Sequence, residues 1–260
     1  MNRHERLGQL LTLISDNEHI RVDQVVEELG VSPATARRDL DTLADQQLVV
    51  RTRGGATVHP GTSDLPLRYK AVRGGEQKAR IAAEASAMVH PGTVVGLNGG
   101  TTTTEVAREL AVSPRLHQAD RSPVTVVTNA VNIAAELAVR AHLRVVLTGG
   151  VVRPLSYELT GPLAGLLFEH IWLDVLFLGV NAIDAHHGAS AHDEGEASIA
   201  TALAQRARRV VVVAESHKLG ATAFAQITGA AGIDALITDT GAAAETVEEF
   251  RAAGTEVVLA

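Results

Sequence analysis

Leu7, Leu10, Leu11 and Ile14 fall at i, i+3, i+4 and i+7, the spacing of a helix with one apolar face. Val22, Val25, Val26 and Leu29 repeat that spacing in a second, shorter helix, which Gly30 closes. Ser32 before Pro33 is a helix start, with Ser as the N-cap and Pro in the first turn, and predicts a third helix running to about Asp45. Residues 48–53 read as a strand, Gly54-Gly55 as a turn and residues 56–58 as a return strand. Three short helices and a hairpin predict a winged helix-turn-helix over residues 1–58.

Pro60, Gly61, Pro66, Gly74 and Gly75, with scattered charge, make residues 59–75 a linker by composition. From residue 76 the pattern changes. Apolar runs at 94–97, 124–127, 145–147, 175–178, 210–213, 235–237 and 257–259 are continuous rather than alternating. That is the pattern of strands buried on both faces of a parallel sheet. Helix-length stretches at 76–89, 102–110, 130–139 and 196–208 lie between them. Residues 76–260 are therefore expected to form an open parallel-sheet α/β domain.

Composition narrows the function. The chain has 260 residues, 46% of them hydrophobic, enough for a packed core. It has no Cys, which excludes disulfides, thiolate metal sites and Cys nucleophiles. Four Phe, two Tyr and one Trp are too few for a base-stacking platform. The N-terminal MNRHERLGQL lacks a signal-peptide core, and no apolar run reaches membrane-spanning length. A soluble cytoplasmic protein without a membrane partner is the expectation.

The net charge of −7 is unevenly spread. Residues 1–59 hold seven Arg/Lys against nine Asp/Glu, residues 60–80 five against two, and residues 81–260 eleven against nineteen. The acidic bulk should repel polyanions, so contact with nucleic acid has to come from a local cluster near the N-terminus.

The third helix supplies one. On a helical wheel Ala36, Leu40, Leu43 and Ala44 share a face and should pack on the first two helices. Arg38 lies opposite, with Thr35 and Thr42 beside it and Arg37 on the flank. Arg can donate a hydrogen-bond pair to guanine, and Thr can touch a base or a phosphate. Arg51 and Arg53 on the wing can reach phosphates or the minor groove, and Ser32 caps the helix. Candidate DNA contacts are thus Ser32, Thr35, Arg37, Arg38, Thr42, Arg51 and Arg53, with double-stranded DNA as the partner. Asp39, Asp41 and Asp45 offset this charge, so tight binding should need a homodimer or homotetramer on repeated half-sites.

A second constellation follows the run 94–97: Asn98-Gly99-Gly100-Thr101-Thr102-Thr103-Thr104, then a helix. Glycines let an anion approach the backbone, and the helix start offers amides and Thr hydroxyls to a phosphate. The spacing is neither a Walker A loop nor a dinucleotide fingerprint. Asn129, Gly150, Arg153, Asn181 and Lys218 lie at other predicted strand ends, where open α/β sheets place ligands, and Glu196 begins a helix. The candidate ligand residues are Asn98, Gly99, Gly100, Thr101, Thr102, Thr103, Asn129, Gly150, Asn181, Glu196 and Lys218, for a phosphorylated polyol. His186, His187 and His192 beside Asp193 fit no fixed ligand spacing, so no metal is expected, and no motif asks for a cofactor.

The stretch Val31-Ser32-Pro33-Ala34-Thr35-Ala36-Arg37-Arg38-Asp39-Leu40 with Arg53-Gly54-Gly55-Ala56 resembles the winged-helix signature of DeoR-family bacterial repressors. GGTTTTEVA from Gly99, VVTNA from Val126, LTGG from Leu147, FLGVNAID from Phe177, Glu196-Ala197 and ESHKLG from Glu215 resemble that family's effector domain, in order. The resemblance implies a fold like ribose-5-phosphate isomerase, a sugar phosphate as inducer, repression of a sugar-catabolism operon, and dimers or tetramers. Asn98 stands where the family commonly has Asp, Ala182 where it has Gly, Glu215 where it has Asp and Ala36 where a larger aliphatic is common. A second reading remains open on sequence: a sugar-phosphate isomerase or deaminase with an appended DNA-binding domain, using Glu196 or Asp184 as base.

Overall fold

The computed structural model describes residues 2–17, 19–46, 48–58, 66–67, 74–117 and 122–260. The chain divides into two compact units between Arg73 and Gly74. Most of the linker expected at 59–75, namely residues 59–65 and 68–73, lies outside the described residues.

The first unit contains helices α1 (Arg3–Asn17), α2 (Val22–Leu29) and α3 (Pro33–Asp45). Leu7, Leu10, Leu11, Ile14, Val25, Ala36, Leu40 and Leu43 are all buried in one core, as the spacing requires. Ser32 caps α3, its hydroxyl accepting from the Thr35 amide at 3.2 Å. Gly30 ends α2 in the left-handed conformation. Asp39, also on α3, is buried and paired with Arg6 of α1 at 2.5 Å.

The wing differs from the expectation. Strand β1 (His19–Arg21) lies between α1 and α2, where none was predicted. It pairs with β3 (Gly55–Val58), which pairs in turn with β2 (Val49–Thr52), all antiparallel. The turn is Arg53-Gly54 rather than Gly54-Gly55, because Gly55 already pairs with Thr52 on one side and Arg21 on the other.

The second unit opens with α4 (Gly75–Ala87) and is built on β4 (Val94–Leu97), β5 (Val124–Thr128) and β6 (Leu143–Leu147). The short hairpin β7 (Val151–Val152) and β8 (Leu159–Thr160) follows, then β9 (Val175–Gly179). A second, antiparallel sheet holds β10 (Ala182–Asp184), β11 (Gly188–Ala191) and β13 (Ala225–Thr228). Strands β12 (Val210–Val213), β14 (Ala235–Thr238) and β15 (Glu256–Leu259) complete the main sheet. Its order is β15-β14-β12-β9-β4-β5-β6, and every pairing is parallel. All seven apolar runs read from the sequence are in this sheet.

Helices α5 (Thr101–Val112), α6 (Val131–Leu137), α7 (Pro162–Gly165), α8 (Glu194–Arg206) and α9 (Ala244–Ala252) connect the strands. Within the strands burial alternates by face. Val95, Leu97, Phe177, Val211 and Val213 join one core with α4, α5 and α6. Leu176, Leu178, Val210 and Val212 join the other with α8 and α9. Both faces are covered, which is why the runs carry no polar alternation. The order reverses between β4 and β9: successive strands add on one side from β4 and on the other from β9. Open α/β sheets bind ligands at such a switch point, beyond the carboxyl ends of the strands.

Candidate DNA-reading surface and effector site

On α3, Arg37 and Arg38 are exposed and Thr35 is half-buried. Among the described residues no carboxylate lies within ion-pair distance of Arg37, Arg38 or Arg53. Ser32, Thr42 and Arg51 have internal work. Ser32 and Thr35 share a hydrogen bond between hydroxyls at 2.9 Å. The Thr42 hydroxyl donates to the Arg38 carbonyl at 2.8 Å and accepts from Arg3 at 3.1 Å. Arg51 pairs with Asp41 at 2.8 Å and donates to the Gly55 carbonyl. Helix α3 and the wing are thereby tied together, and among the described residues Arg37, Arg38 and Arg53 have no carboxylate partner.

At the switch point of the second unit, Asn98 follows β4 and Gly179 ends β9. The Asn98 carboxamide donates to the Gly179 carbonyl at 2.9 Å and accepts from its amide at 2.8 Å. The side chain of Asn98, one of the candidate ligand residues, ties the two central strand ends together. The Thr103 and Thr104 hydroxyls also turn inward, donating to the Gly100 carbonyl at 3.2 and 2.6 Å. The buried Thr102 hydroxyl has no hydrogen-bond partner among the described residues. Two residues that directly follow strands share that condition: Asn129 Oδ1 after β5 and Thr148 Oγ1 after β6.

Glu158, just before β8, is the residue that sequence reading missed. It is 3% exposed, and a Cβ placed on Gly99 would lie 2.2 Å from its Oε1. Only glycine allows this approach. Burial, and then the charge of Glu196, push the Glu158 carboxyl up to about 8, against hydrogen bonds from Asn129 and the Gly99 amide. Asn129 donates to it at 3.4 Å. Arg153 stands nearby, paired with Asp193 at 3.0 Å and Glu196 at 2.9 Å. No apolar periodicity marks the segment from Arg153 to Gly161, so nothing in the sequence announced that Glu158 turns inward.

The remaining expected residues are placed as follows. Gly150, at φ 122°, would put a Cβ 2.6 Å from the Thr160 carbonyl, so it serves the approach of the β7–β8 hairpin. Asn181 accepts from the His192 amide at 3.0 Å. Lys218 donates to the Val180 carbonyl at 2.8 Å, one residue beyond Gly179. Lys78 of α4 pairs with Glu215 at 3.1 Å, both buried. Lys78 could have been found, since it shares a helical face with Ile81, Ala82 and Ala85. Asp184 accepts from the His187 and His186 amides and the His187 ring, and first the His187 amide holds its carboxyl below the usual range. Neither Asp184 nor the Arg153-paired Glu196 is placed as an unengaged general base. Among the described residues no three His, Asp or Glu converge as a metal site, and no helix is long and apolar enough to cross a membrane.

Family models match both units: a DeoR-like helix-turn-helix domain over residues 6–60 and a DeoR C terminal sensor domain over residues 74–240. An HTH-type transcriptional regulator, GlpR, of Haloferax volcanii is 37% identical over 98% of this chain and 96% of its own. A putative aga operon transcriptional repressor of Escherichia coli O157:H7 is 33% identical over 98% and 93%. Ribose 5-phosphate isomerase A of Methanocaldococcus jannaschii aligns with a TM-score of 0.41 and 20% identity over 56% of this chain and 54% of its own. With both domains matched in order, the chain belongs to the DeoR family of DNA-binding transcriptional regulators, and is not an enzyme.

Proposed function

We propose that the protein represses a sugar-catabolism operon in the cytoplasm, as a homodimer or homotetramer, and that a phosphorylated sugar releases it. Relatives named for such roles support the reading, among them a glycerol-3-phosphate regulon repressor of Escherichia coli, 28% identical over 92% of each chain. The observation that carries it is a set of buried polar atoms with no hydrogen-bond partner among the described residues: Thr102 Oγ1 in the first turn of α5, Asn129 Oδ1 after β5 and Thr148 Oγ1 after β6. Buried polar atoms are ordinarily satisfied, and a polyhydroxylated ligand would satisfy these. The first amides of α5 would receive the phosphate, and Lys218, which donates to the Val180 carbonyl just beyond β9, would supply a balancing charge. Glu158, Arg153 and Glu196 would read hydroxyl groups under the β7–β8 hairpin. Bound effector favours one arrangement of the assembly over another, and a few kcal/mol of differential affinity suffices to lower operator binding.

The test is a thermal-shift screen of the full chain against sugar phosphates and their unphosphorylated parents. Binding to the native state raises Tm by mass action. A rise with one phosphate ester and none with its parent supports the reading. A rise with parent sugars alone overturns the phosphate assignment.

A further inference from the structure

A concave surface of the first unit is lined by β1, the starts of α2 and α3, and the wing. Four guanidiniums border it: Arg21, Arg37, Arg51 and Arg53. Two are already held by carboxylates. Arg21 makes a two-pronged pair with Asp23, one prong 3.1 Å long, which first through that hydrogen bond raises the guanidinium's proton affinity and lowers the carboxyl's. Arg51 pairs with Asp41 at 2.8 Å. Both carboxylate side chains are well exposed, 62% for Asp23 and 59% for Asp41.

We propose that this cleft receives the phosphates of one strand of duplex DNA, and that Asp23 and Asp41 occupy its arginines as internal stand-ins for phosphate. By doing so they hold down affinity for DNA of any sequence. The inference rests on the DNA-binding role of this unit and concerns what limits it. The fork of a guanidinium fits carboxylate and phosphate alike. Exposed pairs of this kind are weak, so a phosphate can displace the carboxylate at small cost. The displaced Asp then stands beside the phosphate as a like charge, and affinity falls. Residues 1–59 carry more acids than bases, so attraction to DNA depends on these few cations and is easily set by their neighbours. A regulator gains from this arrangement. Specific contacts stand out when binding to the many competing sites is weak.

The experiment measures binding of the full chain to a duplex of scrambled sequence by fluorescence anisotropy, between about 50 and 200 mM salt. Asp23→Asn and Asp41→Asn should each tighten binding severalfold, and the double variant by about tenfold, with a steeper salt dependence. Asp45→Asn is the control: it lies on the same helix as Asp41, with no ion-pair partner among the described residues, and should change binding less than twofold. Arg21→Ala and Arg53→Ala should weaken binding and reduce the salt slope by about one each. If Asp23→Asn and Asp41→Asn tighten binding no more than Asp45→Asn, the stand-in role is overturned. If the arginine variants leave slope and affinity unchanged, the cleft is not the phosphate path. Absence of any binding by the wild type at low salt would overturn the DNA-binding reading and this inference together. Circular-dichroism melts confirm that each variant is folded.

Discussion

The Asn98 carboxamide and the Gly179 main chain exchange two hydrogen bonds, at 2.9 and 2.8 Å, across the point where the strand order reverses. The side chain must donate and accept at once, which an ionised carboxylate cannot do. Asn98→Asp therefore loses the donor and sets a charge against a carbonyl oxygen. We expect a cost of about 1–3 kcal/mol, read as a lower urea midpoint. Unchanged stability would mean that the two strand ends are held by other means.

Thr102 and Thr103 should respond differently to Val. The Thr102 hydroxyl has no partner among the described residues, so Thr102→Val should leave stability unchanged or slightly higher while weakening the response to effector. Thr103→Val removes a bond to the Gly100 carbonyl and should cost about 0.5–1.5 kcal/mol. Melting curves with and without a responsive sugar phosphate separate the two.

Glu158 predicts a pH dependence. Its carboxyl ionises near 8 in the folded chain, against an ordinary value of 4.5. Between those values the folded state holds a proton that the unfolded state releases, so stability falls as pH rises through the window and levels off above it. Each tenfold difference in proton affinity is worth about 1.4 kcal/mol. Glu158→Gln keeps the neutral form, and its Tm should decline less between pH 5 and 8 than that of the wild type. Parallel curves would place the ionisation elsewhere.

Lys78 and Glu215 are a buried pair, with side-chain exposures of 3% and 10%. Lys78→Met leaves a buried carboxylate uncompensated and should cost about 3–5 kcal/mol, whereas Lys78→Met with Glu215→Leu should recover much of it. Chemical denaturation of the two variants decides the point.

Arg38→Ala should weaken binding to an operator obtained by in vitro selection by about 1–3 kcal/mol, with little loss on scrambled DNA. Equal losses on both would make Arg38 a phosphate contact.

The main sheet was legible because strands buried on both faces leave continuous apolar runs, and all seven are where the runs fall. The cap at Ser32 and the apolar face of α3 were legible for the same kind of reason: the signal is local. What escaped is non-local. β1 has three residues and no pattern of its own, and exists because β3 offers it an edge. Glu158 acquires its role from Gly99, far away in sequence. The partner of Asn98 could not be read from the sequence, because the strand that brings Gly179 beside it joins the sheet only after an excursion through the β7–β8 hairpin.

The third strand of the wing limits what regulation can act on. With β3 bonded on both edges, the wing is not a free ribbon, and β1 joins it to the start of α2. Arg53 at its tip and Arg38 on α3 are carried by one small frame, whose internal geometry is costly to alter. In the assembly proposed above, the softer variable is the distance between two such frames. Half-sites recur with the pitch of the double helix, about 34–36 Å apart. A shift of a few ångströms would leave one copy engaged and its mate out of phase with the groove, so induction would act as a change of gauge rather than as damage to the reading head.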